Sequence, residues 1–165
     1  PMEIRIAQIR DSEAIRDIYN NEVSSGTATF DLTPRTADEQ REWLSERSGA
    51  HVVLVAEINE EVVGFASLSR YQKRPAYNTT VEDSLYVHPD HQGKGIGLAM
   101  LTALIEKASE HGFHTIIARI SGESAGSIAT HERAGFEEVG REKQTGRKFG
   151  RWLDVVVMQR FINSS

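Results

Sequence analysis

Apolar positions along this chain alternate in some stretches and recur at helical spacing in others. Ile4 and Ile6 alternate with polar neighbours, which predicts a strand within Met2–Arg10. Ile15, Ile18, Tyr19 and Val23 then repeat at helical spacing behind Asp11-Ser12, either of which can cap a helix. Ser24–Pro34 reads as a loop rich in Thr and Ser, with Phe30 in its middle. Thr36-Ala37-Asp38-Glu39 is a capping-box pattern and predicts a second helix carrying Trp43 and Leu44. His51–Glu57 and Glu61–Ser69 are β-branched runs joined around Asn59, hence a hairpin. Tyr71–Tyr77 is a loop through Arg74-Pro75, and Thr79–Val87 is another strand. Gly97, Leu101, Leu104, Ile105 and Ala108 mark the core face of a long helix ending at His111-Gly112. Phe113–Ile120 reads as a buried strand and Ser124–Ala134 as a shorter helix closed by Gly135. Glu137–Gln144 and Lys148–Phe161 read as a final pair of strands.

The predicted order is β-α-α-β-β-β-α-β-α-β-β, a mixed α/β (α+β) arrangement in which a hairpin region precedes a βαβ crossover. It implies a central sheet of about seven strands flanked by about four helices. At 165 residues the chain is expected to form one domain, residues 1–165, with a core that needs no staples. It has no cysteine, which excludes a disulfide framework and a thiol nucleophile. Its six histidines are scattered without an H-x-x-x-H pair, so no metal site is expected. A net charge of −5 without a basic cluster argues against a nucleic-acid partner. No apolar run approaches the ~20 residues of a membrane span, and the start lacks the apolar core of a signal peptide. A cytoplasmic protein is expected.

Chemistry concentrates in Tyr86-Val87-His88-Pro89-Asp90-His91-Gln92-Gly93-Lys94-Gly95-Ile96-Gly97, a strand, a glycine-rich turn and a helix start. Alternating glycines let backbone approach a ligand closely, and the helix aims free N–H groups and its positive dipole end at the turn. Such a site suits a phosphate or pyrophosphate. A dinucleotide fingerprint fails, because it requires glycine where Leu98 or Met100 stands. A P-loop fails too, because Lys94 is followed by Gly95 rather than Ser or Thr. The remaining pattern, Gln92-x-x-Gly95-x-Gly97, resembles the pyrophosphate signature of the GNAT superfamily of N-acetyltransferases, which bind acetyl-CoA.

Further blocks narrow the resemblance. Arg74-Pro75-Ala76-Tyr77, Thr80-Val81-Glu82-Asp83-Ser84-Leu85-Tyr86-Val87, Ser127 through Phe136 and Lys148-Phe149-Gly150-Arg151-Trp152-Leu153-Asp154 resemble the phosphinothricin N-acetyltransferase branch. Ile18-Tyr19-Asn20 and Thr27-Ala28-Thr29-Phe30 fit as well. That branch acetylates the primary amine of small amino-acid analogues such as phosphinothricin, methionine sulfoximine and methionine sulfone. The resemblance implies the GNAT fold, acetyl-CoA as co-substrate and a homodimer.

Acetyl transfer to an amine requires an ammonium to lose a proton, a thioester carbonyl to be held, and a departing thiolate to gain a proton. Glu82, in the strand before the glycine turn, is the candidate base; Asp83 is its rival, and strand register separates the two. His131 is a second acid–base candidate, because the resembling branch also has histidine there, although a lone helical histidine is more often structural. For acetyl-CoA the resemblance implies Leu85, Tyr86 and Val87 along the pantetheine arm. It implies Gln92, Gly93, Lys94, Gly95, Ile96, Gly97 and Leu98 around the pyrophosphate. Ser124 stands where the family has an asparagine, and Arg133 lies at the far end of the same helix. On the substrate side, family members often carry an arginine ten residues before the base, where this chain has Gln72. Lys73 and Arg74 lie beside it and offer charge, while Phe30 and Trp152 offer apolar walls. Two other readings stay open: a GNAT enzyme acting on a protein N-terminus or another amine, and a catalytically silent acyl-CoA-binding module.

Overall fold

The computed structural model describes residues 1–47 and 49–162. Strand β1 (Met2–Ile6) leads to helices α1 (Ser12–Ser25) and α2 (Ala37–Ser45). Strands β2 (Val53–Ile58), β3 (Glu61–Arg70) and β4 (Thr80–Val87) follow, then helix α3 (Ile96–Glu110). Strand β5 (Thr115–Ser121), helix α4 (Ala125–Arg133), strand β6 (Glu137–Lys148) and strand β7 (Arg151–Phe161) complete the chain. This is the element order that the hydrophobic pattern predicts.

Local chemistry explains most boundaries. At α2 the hydroxyl of Thr36 accepts from the Glu39 N–H at 3.1 Å, and the Glu39 carboxylate accepts from the Thr36 N–H at 2.9 Å. Between β2 and β3, Asn59 and Glu60 both take positive φ (51° and 65°), the conformation of a tight two-residue hairpin turn. At α1 the capping expectation needs correction. Asp11 occupies the cap position but makes no side-chain cap. Its carboxylate instead accepts from both Arg5 terminal nitrogens, at 2.8 and 2.9 Å, and from the Gln8 N–H at 2.7 Å. Two further boundaries shift: β1 gives way to a 3-10 turn at Ile9–Asp11, and α1 runs into the predicted loop as far as Ser25.

The strands form one seven-stranded sheet in the order β1-β2-β3-β4-β5-β7-β6. Alternation along the strands sends side chains to two separate cores. Val53, Val55 and Phe65 pack with Ile15, Ile18, Tyr19 and Leu44 under α1 and α2. Leu54, Leu68, Val81, Ile116 and Met158 pack with Met100, Leu101 and Leu104 under α3.

The feature that creates a site is the junction of β4 with β5, the parallel pair in the sheet. It runs only from Thr80↔Thr115 to Glu82↔Ile117. Beyond Glu82 the strands part, while β4 stays paired with β3 as far as Gly64↔Val87 and β5 stays paired with β7 as far as Ser121↔Val155. The β5-facing edge of residues 83–87 is therefore an unpaired strand edge inside the protein, and a cleft opens along it.

Candidate active site

Two cavities lie along the cleft, one of about 600 Å³ and one of about 270 Å³. They share Ala28, Leu85, Tyr86, Ser124 and Ser127, so they meet at the splayed part of β4.

The larger cavity is bounded on the strand side by Leu85, Tyr86 and Val87. The Tyr86 ring turns away into the α1 core, stacked on Phe65 at 5.0 Å and edge-on to Tyr19 at 5.4 Å. Gln92, Gly93, Gly95, Ile96, Gly97 and Leu98 close one end of this cavity, and Ser124 and Arg133 stand on its α4 side. Gly95 is the cap residue of α3 at φ 80°, a left-handed conformation that favours glycine. Among the described residues no side chain caps this helix end, so the first N–H groups of α3 stay available to an anion. A Cβ built on Gly93 or Gly95 meets nothing within 4 Å, because that space belongs to the cavity mouth. These features fit a pyrophosphate-bearing ligand lying along an open strand edge.

At the smaller cavity the strand register decides between the two acidic candidates. Glu82 shares its sheet face with Tyr86, toward α1, and its side chain lines the cavity. It is partly buried and accepts no hydrogen bond from the described residues. Burial pushes its carboxyl above the usual carboxylate range; Arg119 draws it back and neighbouring Asp83 adds to the rise.

Asp83 points to the opposite face and pairs with His131. Nε2 of His131 lies 2.9 and 3.1 Å from the two Asp83 carboxylate oxygens, and Nδ1 lies 2.8 Å from the Ser127 carbonyl. Both side chains are only 2 % exposed, and Phe136 closes edge-on over the imidazole at 4.9 Å. Two acceptors call for a proton on each nitrogen, so the ring is a double donor facing a carboxylate. Burial works against the charged ring, yet the bond and charge of Asp83 together with the Ser127 carbonyl hold its pKa above the usual value. Both His131 nitrogens thus already have acceptors within the protein, while its side chain lines the smaller cavity.

The outer wall comes from the loop after α1. Its Thr29 carbonyl accepts from buried Lys148 at 2.9 Å, and the Thr29 hydroxyl hydrogen-bonds with Tyr19 at 2.9 Å. These ties carry Phe30 to the cavity, with its ring laid over Gly146 of β6.

Residues 13–136 match the acetyltransferase (GNAT) family. The chain belongs to that family. An L-methionine sulfoximine/L-methionine sulfone acetyltransferase of Pseudomonas paraeruginosa is 39% identical over 158 residues, covering 94% of this chain and 92% of that protein. The crystal structure of a GNAT superfamily phosphinothricin acetyltransferase from Sinorhizobium meliloti, in complex with acetyl-CoA, superposes with a TM-score of 0.96 at 38% identity. It covers 99% of this chain and 90% of its own. A ribosomal-protein-alanine N-acetyltransferase from Brucella melitensis gives 0.94 at 40% identity, covering 96% and 99%.

Within this GNAT chain the residues expected at acetyl-CoA all line the larger cavity except Lys94, which is exposed. Glu82, His131 and Phe30 come together at the smaller one. Gln72 and Arg74 do not. The β3–β4 connection carries them outward, where Arg74 caps a 3-10 turn at Pro75–Tyr77 and both side chains are exposed. Trp152 also stays outside the cavity, exposed under the guanidinium of Arg147 at 4.5 Å. Sequence reasoning missed His91, Thr130 and Ser127 in the larger cavity and Arg119 in the smaller. For Arg119 the signal was a charge inside the apolar run Ile116–Ile120.

Proposed function

We propose that this GNAT enzyme transfers an acetyl group from acetyl-CoA to the primary amine of a small amino-acid-like substrate, in the manner of the methionine sulfone and phosphinothricin acetyltransferases it resembles. The observation that carries the reading is Glu82: a partly buried carboxylate to which none of the described residues donates a hydrogen bond, beside the strand edge where the two cavities meet. Such a group calls for a cationic donor, and a substrate ammonium is one.

Gly93 through Leu98 hold the pyrophosphate with backbone N–H groups, and Lys94 adds positive charge at the rim. Leu85, Tyr86 and Val87 offer backbone to the pantetheine arm as a neighbouring strand would, with Ser124 and Arg133 on the opposite wall. Bound there, acetyl-CoA supplies an activated thioester. Glu82 takes one proton from the ammonium, freeing the lone pair that attacks. The second proton leaving that nitrogen balances the one the departing thiolate requires. No acyl-enzyme is needed, because the meeting cavities bring both partners together. His131 and Asp83 serve as a fixed pair that holds α4 against β4 beside the reacting centre.

A cytoplasmic homodimer completes the reading. Its support is that the described helices include none long and apolar enough to cross a membrane, and that Val139, Phe149 and Trp152 expose apolar surface on the β6–β7 edge.

The test is thiol release from acetyl-CoA with methionine sulfone, methionine sulfoximine and phosphinothricin, against a peptide with an N-terminal alanine. The free amino acids are expected to give kcat/KM at least about 100-fold above the peptide, a gap of about 2.7 kcal/mol. Preference for the peptide would transfer the activity to protein N-termini. Acetyl-CoA binding without turnover of any amine would make the chain a silent binding module.

A further inference from the structure

The smaller cavity holds one permanent positive charge among its described lining residues, Arg119. Its position follows from strand geometry. Ile117 pairs with Glu82 in the parallel β4–β5 ladder, and Arg119 is two residues farther along β5. It therefore lies on the same sheet face, about 7 Å beyond Ile117, where the strands have begun to part. Its charge is near enough to act on the Glu82 carboxylate.

Glu142 of β6 fixes the orientation. Arg119 Nη1 lies 3.1 Å from one Glu142 oxygen and Nη2 lies 2.6 Å from the other. An ion pair whose side chains are 38 % and 42 % exposed adds little to stability. What it does is hold a planar fork in one place. A guanidinium has five N–H donors and this pair uses two, so three stay available on the sides that Glu142 does not cover.

A carboxylate acceptor and a guanidinium donor side by side form the complement of an α-amino-acid zwitterion. We propose that Arg119 is the specificity-determining residue of this site, binding the substrate α-carboxylate while Glu82 receives the α-ammonium. The inference rests on the acetyltransferase reading above. It also accounts for Gln72: the guanidinium missing from the β3–β4 connection is supplied from β5. Free α-amino acids fit both charges. Simple amines and peptide N-termini, whose first residue has no carboxylate, fit only Glu82.

The test pairs L-methionine sulfone with 3-(methylsulfonyl)propylamine, which keeps the amine and sulfone but lacks the carboxylate. Wild-type enzyme is expected to favour the amino acid. Arg119→Gln is expected to raise KM for the amino acid about 10- to 100-fold and leave KM for the amine within about 3-fold. Arg119→Lys keeps the charge without the fork, so its KM falls between the two, and it serves if the glutamine variant does not fold. Unchanged KM for the amino acid in both variants, or a parallel rise for both substrates, overturns the anchor. Wild-type enzyme acetylating both substrates equally also overturns it, while the acetyltransferase reading stands. Turnover of neither removes that reading and the anchor together.

Discussion

Asp83 and His131 face each other across the β4–α4 contact, with Nε2 2.9 Å from a carboxylate oxygen and both side chains buried. A buried pair of this kind is costly to break, because the surviving partner is left uncompensated.

Asp83→Ala is expected to destabilise the protein by about 3–5 kcal/mol. Adding His131→Ala should cost little more, because the two act as a unit. Urea denaturation of the single and double variants measures this. The pH dependence has a definite sign. The folded pKa of His131 is raised, so the pair's contribution is fully present below the ordinary histidine pKa. It is lost as pH rises through the raised value, and the Asp83 variant should lose that slope.

Gly95→Val is expected to weaken acetyl-CoA binding at least about 10-fold, equivalent to about 1.4 kcal/mol. A β-branched side chain at φ 80° is strained, and it also enters the mouth of the larger cavity. Calorimetric titration with acetyl-CoA reads this out, and normal affinity would contradict the assigned cradle.

Gly146→Ala addresses the outer wall. A Cβ at Gly146 would lie 2.4 Å from Cε2 of Phe30, so the ring must move. KM for the amine is expected to rise about 10-fold or more through misplacement, while acetyl-CoA affinity stays at the wild-type value. Equal loss of both would mean that the substitution disturbs the sheet rather than the wall.

The order of elements was legible because each core-facing stripe keeps its period, and because Thr36 and Glu39 mark a helix start with a mechanism. The shape of the glycine turn was legible too, because Gly93 and Gly95 take positive φ that other residues avoid. The substrate side was legible only in part, since Glu82 and Phe30 line the smaller cavity while Gln72 and Arg74 do not. Whether Gln72, Arg74 or Arg119 reaches the cavity depends on where β4 and β5 part, a long-range property of the sheet. The pairing of His131 was hidden because its partner, Asp83, lies 48 positions away in sequence. Asp11 misled for a similar reason, since Arg5 and the Gln8 backbone compete for its carboxylate.

The pH profile of kcat/KM should rise along a limb set by Glu82. Burial places that limb above the usual carboxylate range, and activity falls as pH drops through it because the base becomes protonated. Removing Arg119 takes away the charge that draws Glu82 down. The limb of Arg119→Gln should therefore move to higher pH, and a limb that stays in place would mean that Glu82 is not the titrating base.

The most direct measurement is Glu82→Gln, comparing turnover of methionine sulfone with acetyl-CoA affinity in the same preparation. Loss of the base is expected to lower kcat about 10²- to 10⁴-fold while the dissociation constant for acetyl-CoA stays within about 2-fold. Wild-type kcat in this variant would contradict the account.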